Sequence, residues 1–102
     1  NFEIGQGALD SLLMYKLLML GERAEKLLES KVVKYEVEHA GAKEIKLYLA
    51  EGFYLIFLRD DDFDNVFRVL KKVLEEEIKE KRPRLEYTDL RFGNKVFYRF
   101  KQ

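Results

Sequence analysis

The chain offers few residues for nucleophilic catalysis: one histidine, His39, and two serines, Ser11 and Ser30. A serine nucleophile needs a base within hydrogen-bond reach, yet both serines fall in segments with helical periodicity. His39 lies near a turn, in a segment with the character of a strand. The pattern favours a surface histidine, and we therefore expect no enzymatic activity and assign no catalytic residue.

Four aspartates between Asp60 and Asp64 suggest a cation site at first sight. Their spacing lacks the central glycine and the distal glutamate of an EF-hand calcium loop. Acidic residues before an amphipathic segment are typical of a helix N-terminus, where Asp61 or Asp62 would accept a backbone N–H. Because the chain also has no cysteine, thiolate metal sites and disulfides are excluded, and we expect no cofactor.

Cations alternate with aromatic residues near the C-terminus, and this pattern can bind single-stranded nucleic acid. Lysine and arginine together number 19, however, and so do aspartate and glutamate, whereas nucleic-acid binders usually have a basic excess. With a two-residue turn, Glu86 would pair with Lys101 and Asp89 with Tyr98 across two strands. We expect no nucleic-acid partner and keep this function as the alternative.

Composition and length indicate one folded domain over residues 1–102, since 47% of the residues are hydrophobic and no long linker interrupts them. Charged residues make up 37% of the chain, a bias that resembles proteins from hot environments. The longest apolar stretch, Leu12–Leu20, is broken by Lys16 and is too short to cross a bilayer.

The periodicity predicts a helix, three strands, a second helix and two strands. The helices are expected over Ala8–Leu20, with a possible continuation to Ser30, and from the aspartate cluster to Pro83. The strands are expected over Val32–Ala40, Lys43–Ala50, Phe53–Leu58, Leu85–Phe92 and Lys95–Phe100. The fold class is therefore α+β: a largely antiparallel sheet of about five strands with two helices packed on it, ending in a C-terminal β-hairpin.

The first helix is apolar nearly all round. Its core stripe is predicted to be Leu9, Leu12, Leu13, Leu17 and Leu20, yet Met14, Tyr15, Leu18 and Met19 lie on its other faces. We expect part of helix 8–20 to contact something absent from this chain, either an upstream domain or another copy.

The terminal hairpin is the most informative feature, because a final strand at a sheet edge can accept a strand from a partner. Gly93-Asn94 is a two-residue turn signal between its strands. A regular register puts Tyr87, Asp89, Arg91, Val96, Tyr98 and Phe100 on one face, with Thr88, Leu90, Phe92, Lys95, Phe97 and Arg99 on the other. The sequence leaves open which face is buried.

The string Tyr87-Thr88-Asp89-Leu90-Arg91-Phe92-Gly93-Asn94-Lys95-Val96 resembles the closing motif of the FtsQ/DivIB family of bacterial cell-division proteins. That motif has an aromatic or aliphatic residue, Asp-Leu-Arg, an aromatic, a short turn and a final strand. The layout before it is similar too, with a leucine-rich helix, a strand pair turning at Glu51-Gly52 and an amphipathic helix.

The resemblance implies a non-enzymatic scaffold domain of the divisome, the complex that forms the division septum. It implies an FtsB-like (DivIC-like) partner, itself paired with an FtsL-like protein, that adds a strand to the C-terminal edge. The implied partner-binding residues are Arg91, Phe92, Lys95, Val96, Phe97, Tyr98, Arg99 and Phe100. It also implies an upstream POTRA domain and one membrane span, with this domain on the extracytoplasmic face of the plasma membrane.

Overall fold

The computed structural model describes residues 2–6, 11–39 and 41–102. It has six strands: β1 (Phe2–Gln6), β2 (Val32–His39), β3 (Glu44–Leu49), β4 (Tyr54–Leu58), β5 (Leu85–Phe92) and β6 (Lys95–Phe100). Helix α1 spans Ser11–Leu28 and helix α2 spans Phe63–Val73, continued by a π-helical turn, Leu74–Ile78, and a 3-10 segment, Lys79–Arg84. The predicted helix start, with Ala8, Leu9 and Asp10, lies outside the described residues, as does Ala40.

The strands form one sheet in the order β1-β2-β3-β4-β5-β6. Neighbours β2–β3, β3–β4 and β5–β6 are antiparallel, whereas β1–β2 and β4–β5 are parallel. Each parallel pair is joined through a helix, as parallel pairing requires. The α+β fold, the largely antiparallel sheet and the C-terminal hairpin are therefore confirmed, and β1 adds a strand that the sequence pattern did not indicate.

Both helices pack on the same face of the sheet. Alternate residues of the central strands point into one core with the helices, as in Ile45, Leu47 and Leu49 on β3. The other residues of those strands, including Tyr48 and Tyr54, lie on a face that no helix of the described ranges covers. On this uncovered face, Ile56 of the central strand β4 is still only 7% exposed.

Helix α1 continues through Gly21 without a break and buries Leu13, Leu17, Leu20, Ala24 and Leu28. Leu12 was predicted in this stripe, but it is 69% exposed. The reason is geometric: with Leu13 and Leu17 centred on the sheet, Leu12 lies about 100° away around the helix axis. Gly21 is buried, and a Cβ there would come within 2.0 Å of the Tyr35 hydroxyl, so this position admits only glycine without rearrangement.

Helix α2 begins as predicted. Asp62 is the N-cap, and its carboxylate accepts the backbone N–H of Asn65 at 3.3 Å. Asp60 lies outside the cap and pairs with Lys16 of α1 at 3.2 Å. Arg23 of α1 pairs with Asp64 in the first turn of α2 at 2.9 Å. Arg23 follows Lys16 by seven residues, about two turns, and Asp64 follows Asp60 by four, so the two segments run in the same direction.

Candidate functional site at the C-terminal edge strand

The hairpin of β5 and β6 closes through Gly93 and Asn94, with Phe92 paired to Lys95. Gly93 has φ +65°, the left-handed conformation that glycine adopts at no steric cost. The side chain of Asn65, in the first turn of α2, donates to the Asn94 side chain at 2.9 Å. The predicted turn is therefore confirmed, and α2 holds it from the helical side of the sheet.

The register differs from the prediction on the β5 side. Tyr98 pairs with Thr88 and Phe97 pairs with Asp89, so the expected Asp89–Tyr98 pairing is wrong. The expected pairing of Glu86 with Lys101 is wrong as well, because the Lys101 N–H donates to the Arg84 carbonyl at 2.7 Å.

Two bulges in β5 explain the shift. Leu85, Thr88 and Leu90 are all buried, at 1%, 0% and 2% exposure, but the first two are three residues apart. A regular strand returns to the same face every second residue, so an extra residue must be accommodated between Leu85 and Thr88. The second irregularity lies between Asp89 and Phe92. Strand β6 itself is regular.

The structure resolves which side chains of the hairpin face outward. Val96, Tyr98 and Phe100 are half-buried and pack against the core. Phe97 and Phe92 are about half exposed, at 53% and 50%, and their rings touch edge to face on the open side of the sheet. The predicted grouping of Tyr87 and Asp89 with Val96 is wrong, because the bulges turn both side chains to the open side.

Arg91 is held by two carboxylates rather than being free for a partner. Its guanidinium donates twice to Asp89, at 2.8 and 2.6 Å, and once to Glu44 of β3 at 2.7 Å. These hydrogen bonds raise the Arg91 pKa above its usual range, although burial opposes the rise. The Asp-Leu-Arg motif thus locks the turn end of β5 to β3 across β4, and the side chain of Asp89 is only 10% exposed.

The outer side of β6 pairs with no strand in the described part of the chain. Because the Lys101 N–H points toward β5 and strand residues alternate in direction, the backbone groups of Lys95, Phe97 and Arg99 point there too. Those of Val96, Tyr98 and Phe100 point to the free edge. Each of the six β6 residues in the predicted set therefore offers either an open-face side chain or an edge backbone group.

Tyr98 links this edge to the end of α2. Its hydroxyl donates to Glu77 at 3.2 Å, and its ring lies 5.6 Å from that of Phe100. Burial and the hydrogen bond to Glu77 raise the pKa of Tyr98 above its ordinary value. Lys81 lies 6.0 Å from the Phe100 ring centroid, so cations flank the edge on the helical side as well as at Lys95 and Arg99.

A row of side chains that the sequence interpretation missed crosses the open face. The cross-strand partners Lys34, Tyr48, Tyr54, Tyr87 and Arg99 follow one another over five strands. The tyrosine rings are 4.9 and 5.6 Å apart, and Lys34 lies 4.3 Å over Tyr48. The three tyrosines lie on three different strands, and only the pairing register aligns them.

The residues considered as catalytic or metal-binding candidates do not come together in a site within the described part of the chain. His39 is exposed at the end of β2, whereas Ser11 begins α1 and Ser30 follows it. Over residues 2–6, 11–39 and 41–102, no cluster of three or more metal-ligating side chains occurs. Within the same ranges, no helix has the length and apolar character needed to cross a membrane.

Models of known protein families do not match this sequence, and neither do curated proteins. The free edge of β6 and the motif in the hairpin are therefore the features that indicate a function.

Proposed function

We propose that this domain is a non-enzymatic scaffold of the bacterial division complex that binds an FtsB/DivIC-like protein, paired with an FtsL-like one, by strand addition. The observation that carries the proposal is the free edge of β6, with Phe97 and Phe92 exposed beside it. Added strands gain affinity from backbone hydrogen bonds and specificity from alternate side chains.

The proposed contact residues form two groups, those whose backbone points to the free edge and those whose side chains lie on the open face. Backbone groups of Val96, Tyr98 and Phe100 pair with the incoming strand, while Phe97 and Arg99 contact its open-face side chains. Phe92 and Lys95 extend the contact toward the turn. Arg91 acts as a positioning residue, because its hydrogen bonds to Asp89 and Glu44 fix the end of β5.

The exposed face of α1 is consistent with attachment to a larger protein. Leu12, Tyr15 and Leu18 are 69%, 65% and 51% exposed along two turns of the helix. We propose that an upstream domain contacts this face and that the whole protein has one membrane span, with this domain on the extracytoplasmic side.

An NMR titration tests the strand addition directly. The titrant is a peptide from the segment that follows the coiled coil of an FtsB-like protein. Amide shifts should concentrate on Val96, Tyr98 and Phe100, with new protection of their N–H groups from solvent exchange. A scrambled peptide of the same composition is the control. A folded domain without such shifts, or with equal shifts from both peptides, would contradict the proposal.

Single-stranded nucleic acid is the second candidate, and the tyrosine row across the open face favours it. Stacking on aromatic rings between Lys34 and Arg99 would be tolerant of sequence. Glu36, which accepts a hydrogen bond from the Tyr48 hydroxyl at 3.0 Å, weighs against this function because it places a carboxylate beside the row. Binding of a labelled oligonucleotide should weaken steeply with salt if this function is correct. Absence of binding at low salt would exclude nucleic-acid binding as a function.

A further inference from the structure

A groove runs between α1 and α2 on the side of the domain that faces away from the sheet. It consists of two adjoining depressions, of about 340 and 220 Å³, that share Leu27. Its apolar floor is formed by Leu27 of α1 with Phe67 and Leu74 of the α2 segment. We call this the inter-helix groove. Residues of β6 do not line it.

Cations dominate the walls of the inter-helix groove. Arg23 and Arg82 already have partners, Asp64 and Glu51 respectively. Lys26 on the α1 wall and Lys71 on the α2 wall are exposed and make no ion pair within the described ranges. The one carboxylate in the lining is Glu75. The groove thus combines an apolar floor with one available cation on each wall.

The geometry points to an acidic amphipathic helix of a partner protein as the occupant: we propose that the inter-helix groove binds one. Phe67, Lys71 and Leu74 are spaced i, i+4, i+7, so the α2 wall extends about 10 Å, or two helical turns. A helix with apolar anchors at that spacing would cover Leu27 and Leu74, and glutamates beside the anchors would meet Lys26 and Lys71. A basic helix would meet repulsion from both walls.

The two binding surfaces are independent. The groove lies on the helical layer, whereas the proposed strand addition uses the β6 edge and the open side of the sheet. A partner with a helix beside an extended segment, or two different partners, could occupy both surfaces without overlap. Binding at the inter-helix groove therefore does not depend on the division-complex function.

A titration with designed peptides tests the proposal on the whole domain. The probe is a four-turn amphipathic helix with leucine anchors and glutamates, and its counterpart replaces every glutamate with lysine. The acidic peptide should shift the signals of Lys26, Leu27 and Lys71 and leave those of Phe97 and Arg99 unchanged. Equal binding of the two peptides, shifts at β6 instead, or no shifts at all would overturn the proposal.

A charge-reversal pair provides the matched control. Lys26→Glu combined with Lys71→Glu should weaken acidic-peptide binding about tenfold or more, because both walls then repel the ligand. Lys72→Glu changes the neighbouring exposed lysine, which does not line the groove, and should change affinity less than about twofold. Equal weakening by Lys72→Glu would mean that attraction is general rather than specific to the groove. Circular dichroism confirms that each variant is folded.

Discussion

The rings of Phe92 and Phe97 meet edge to face, with centroids 5.1 Å apart and planes at 88°. Phe92 precedes the hairpin turn and Phe97 follows it, so the pair forms one apolar patch across β5 and β6 on the open side. Such a pair contributes about 0.5 to 1.5 kcal/mol beyond the area it buries. Half of each ring is still exposed, which is the arrangement expected where a further strand covers them.

Phe97→Thr should abolish most partner binding while leaving the domain folded. Threonine keeps the β propensity of the position but removes the ring that the added strand would cover, with an expected loss of about 2 kcal/mol of binding energy. Isothermal titration calorimetry with the FtsB-like peptide measures this change in binding free energy. Tyr15→Ala, at an exposed aromatic of α1, should leave affinity unchanged. Unchanged affinity in Phe97→Thr would exclude the patch from the interface.

Val96→Pro should destabilise the free domain less than Phe97→Pro. The N–H of Val96 points to the free edge, and proline has nearly the same volume as valine, so the β5–β6 ladder stays intact. The Phe97 N–H points toward β5, and its loss should cost about 3 kcal/mol of unfolding free energy. Urea unfolding of both variants measures the difference. If Val96→Pro were the more destabilising change, the N–H of Val96, and not that of Phe97, would point toward β5.

The same Val96→Pro variant should lose partner binding, because one of its edge donors is gone. Val96→Ala is the control: it keeps the N–H and removes more of the side chain. If Val96→Ala bound as poorly as Val96→Pro, packing rather than strand addition would explain the loss.

Arg91→Met should lower the unfolding free energy by about 2 to 4 kcal/mol, since it leaves the nearly buried Asp89 carboxylate without its bidentate partner. Replacing both residues, with Asp89→Leu added, should restore much of the loss because no charge is then stranded. Denaturant unfolding of the single and double variants measures their unfolding free energies, and the difference between them shows how much the second substitution restores. A double variant less stable than Arg91→Met would contradict the role assigned to the pair.

Gly21→Ala should destabilise the domain even though alanine is favoured over glycine in a helix by about 1 kcal/mol. The new Cβ would meet the Tyr35 ring and hydroxyl, and overpacking of this kind costs about 1 to 3 kcal/mol. Thermal unfolding measures the effect. Combining it with Tyr35→Leu should make the alanine neutral or stabilising. A Gly21→Ala variant more stable than the parent would show that Tyr35 moves away freely.

Stability should fall as pH rises above about 10. Burial raises the pKa of Tyr35 and Tyr54, and burial with the Glu77 hydrogen bond raises that of Tyr98, all above an unfolded value of 10.0. A raised pKa in the folded state means that the native fold favours the neutral phenol. The stabilisation is therefore complete below pH 10 and is lost as pH rises through the folded pKa values.

Urea midpoints across the alkaline range, with tyrosinate absorbance followed in parallel, check this dependence. Phenylalanine at all three positions should flatten the alkaline fall, whereas Tyr15→Phe should not change it. An identical fall in the triple variant would assign the effect to other groups.

Local patterns predicted the elements that carry strong signals. The aspartate cap of α2, predicted at Asp61 or Asp62, the Gly93-Asn94 turn and strand β3 each depend on residues close in sequence, and all three are confirmed. Strand β1 lacked such a signal, since its five residues, which include Gly5, are too few to show a period. Its pairing with β2 is set by tertiary contact.

The register of the hairpin shows where sequence reasoning reaches its limit. The turn fixes Phe92 opposite Lys95, but the burial of Leu85, Thr88 and Leu90 decides the rest. That burial depends on the helical layer packed against this side of the sheet, which no pattern within the hairpin reveals. Sequence reasoning missed three further features for the same reason: the exposure of Leu12, the tyrosine row and the inter-helix groove. Each is created by elements that are distant in the chain.

The sheet has two unlike edges in the described part of the chain, a parallel strand, β1, and an antiparallel strand, β6. Joining β6 of one copy to β1 of the next would give a head-to-tail contact with no twofold symmetry, and such contacts propagate into open filaments. Cations at Lys95, Arg99 and Lys101 would repel a second β6 strand, so they oppose edge-to-edge pairing of two β6 strands. Under the proposed function, a partner strand bound to β6 would occupy this edge, so the contact that recruits the partner would also block growth of the sheet through β6.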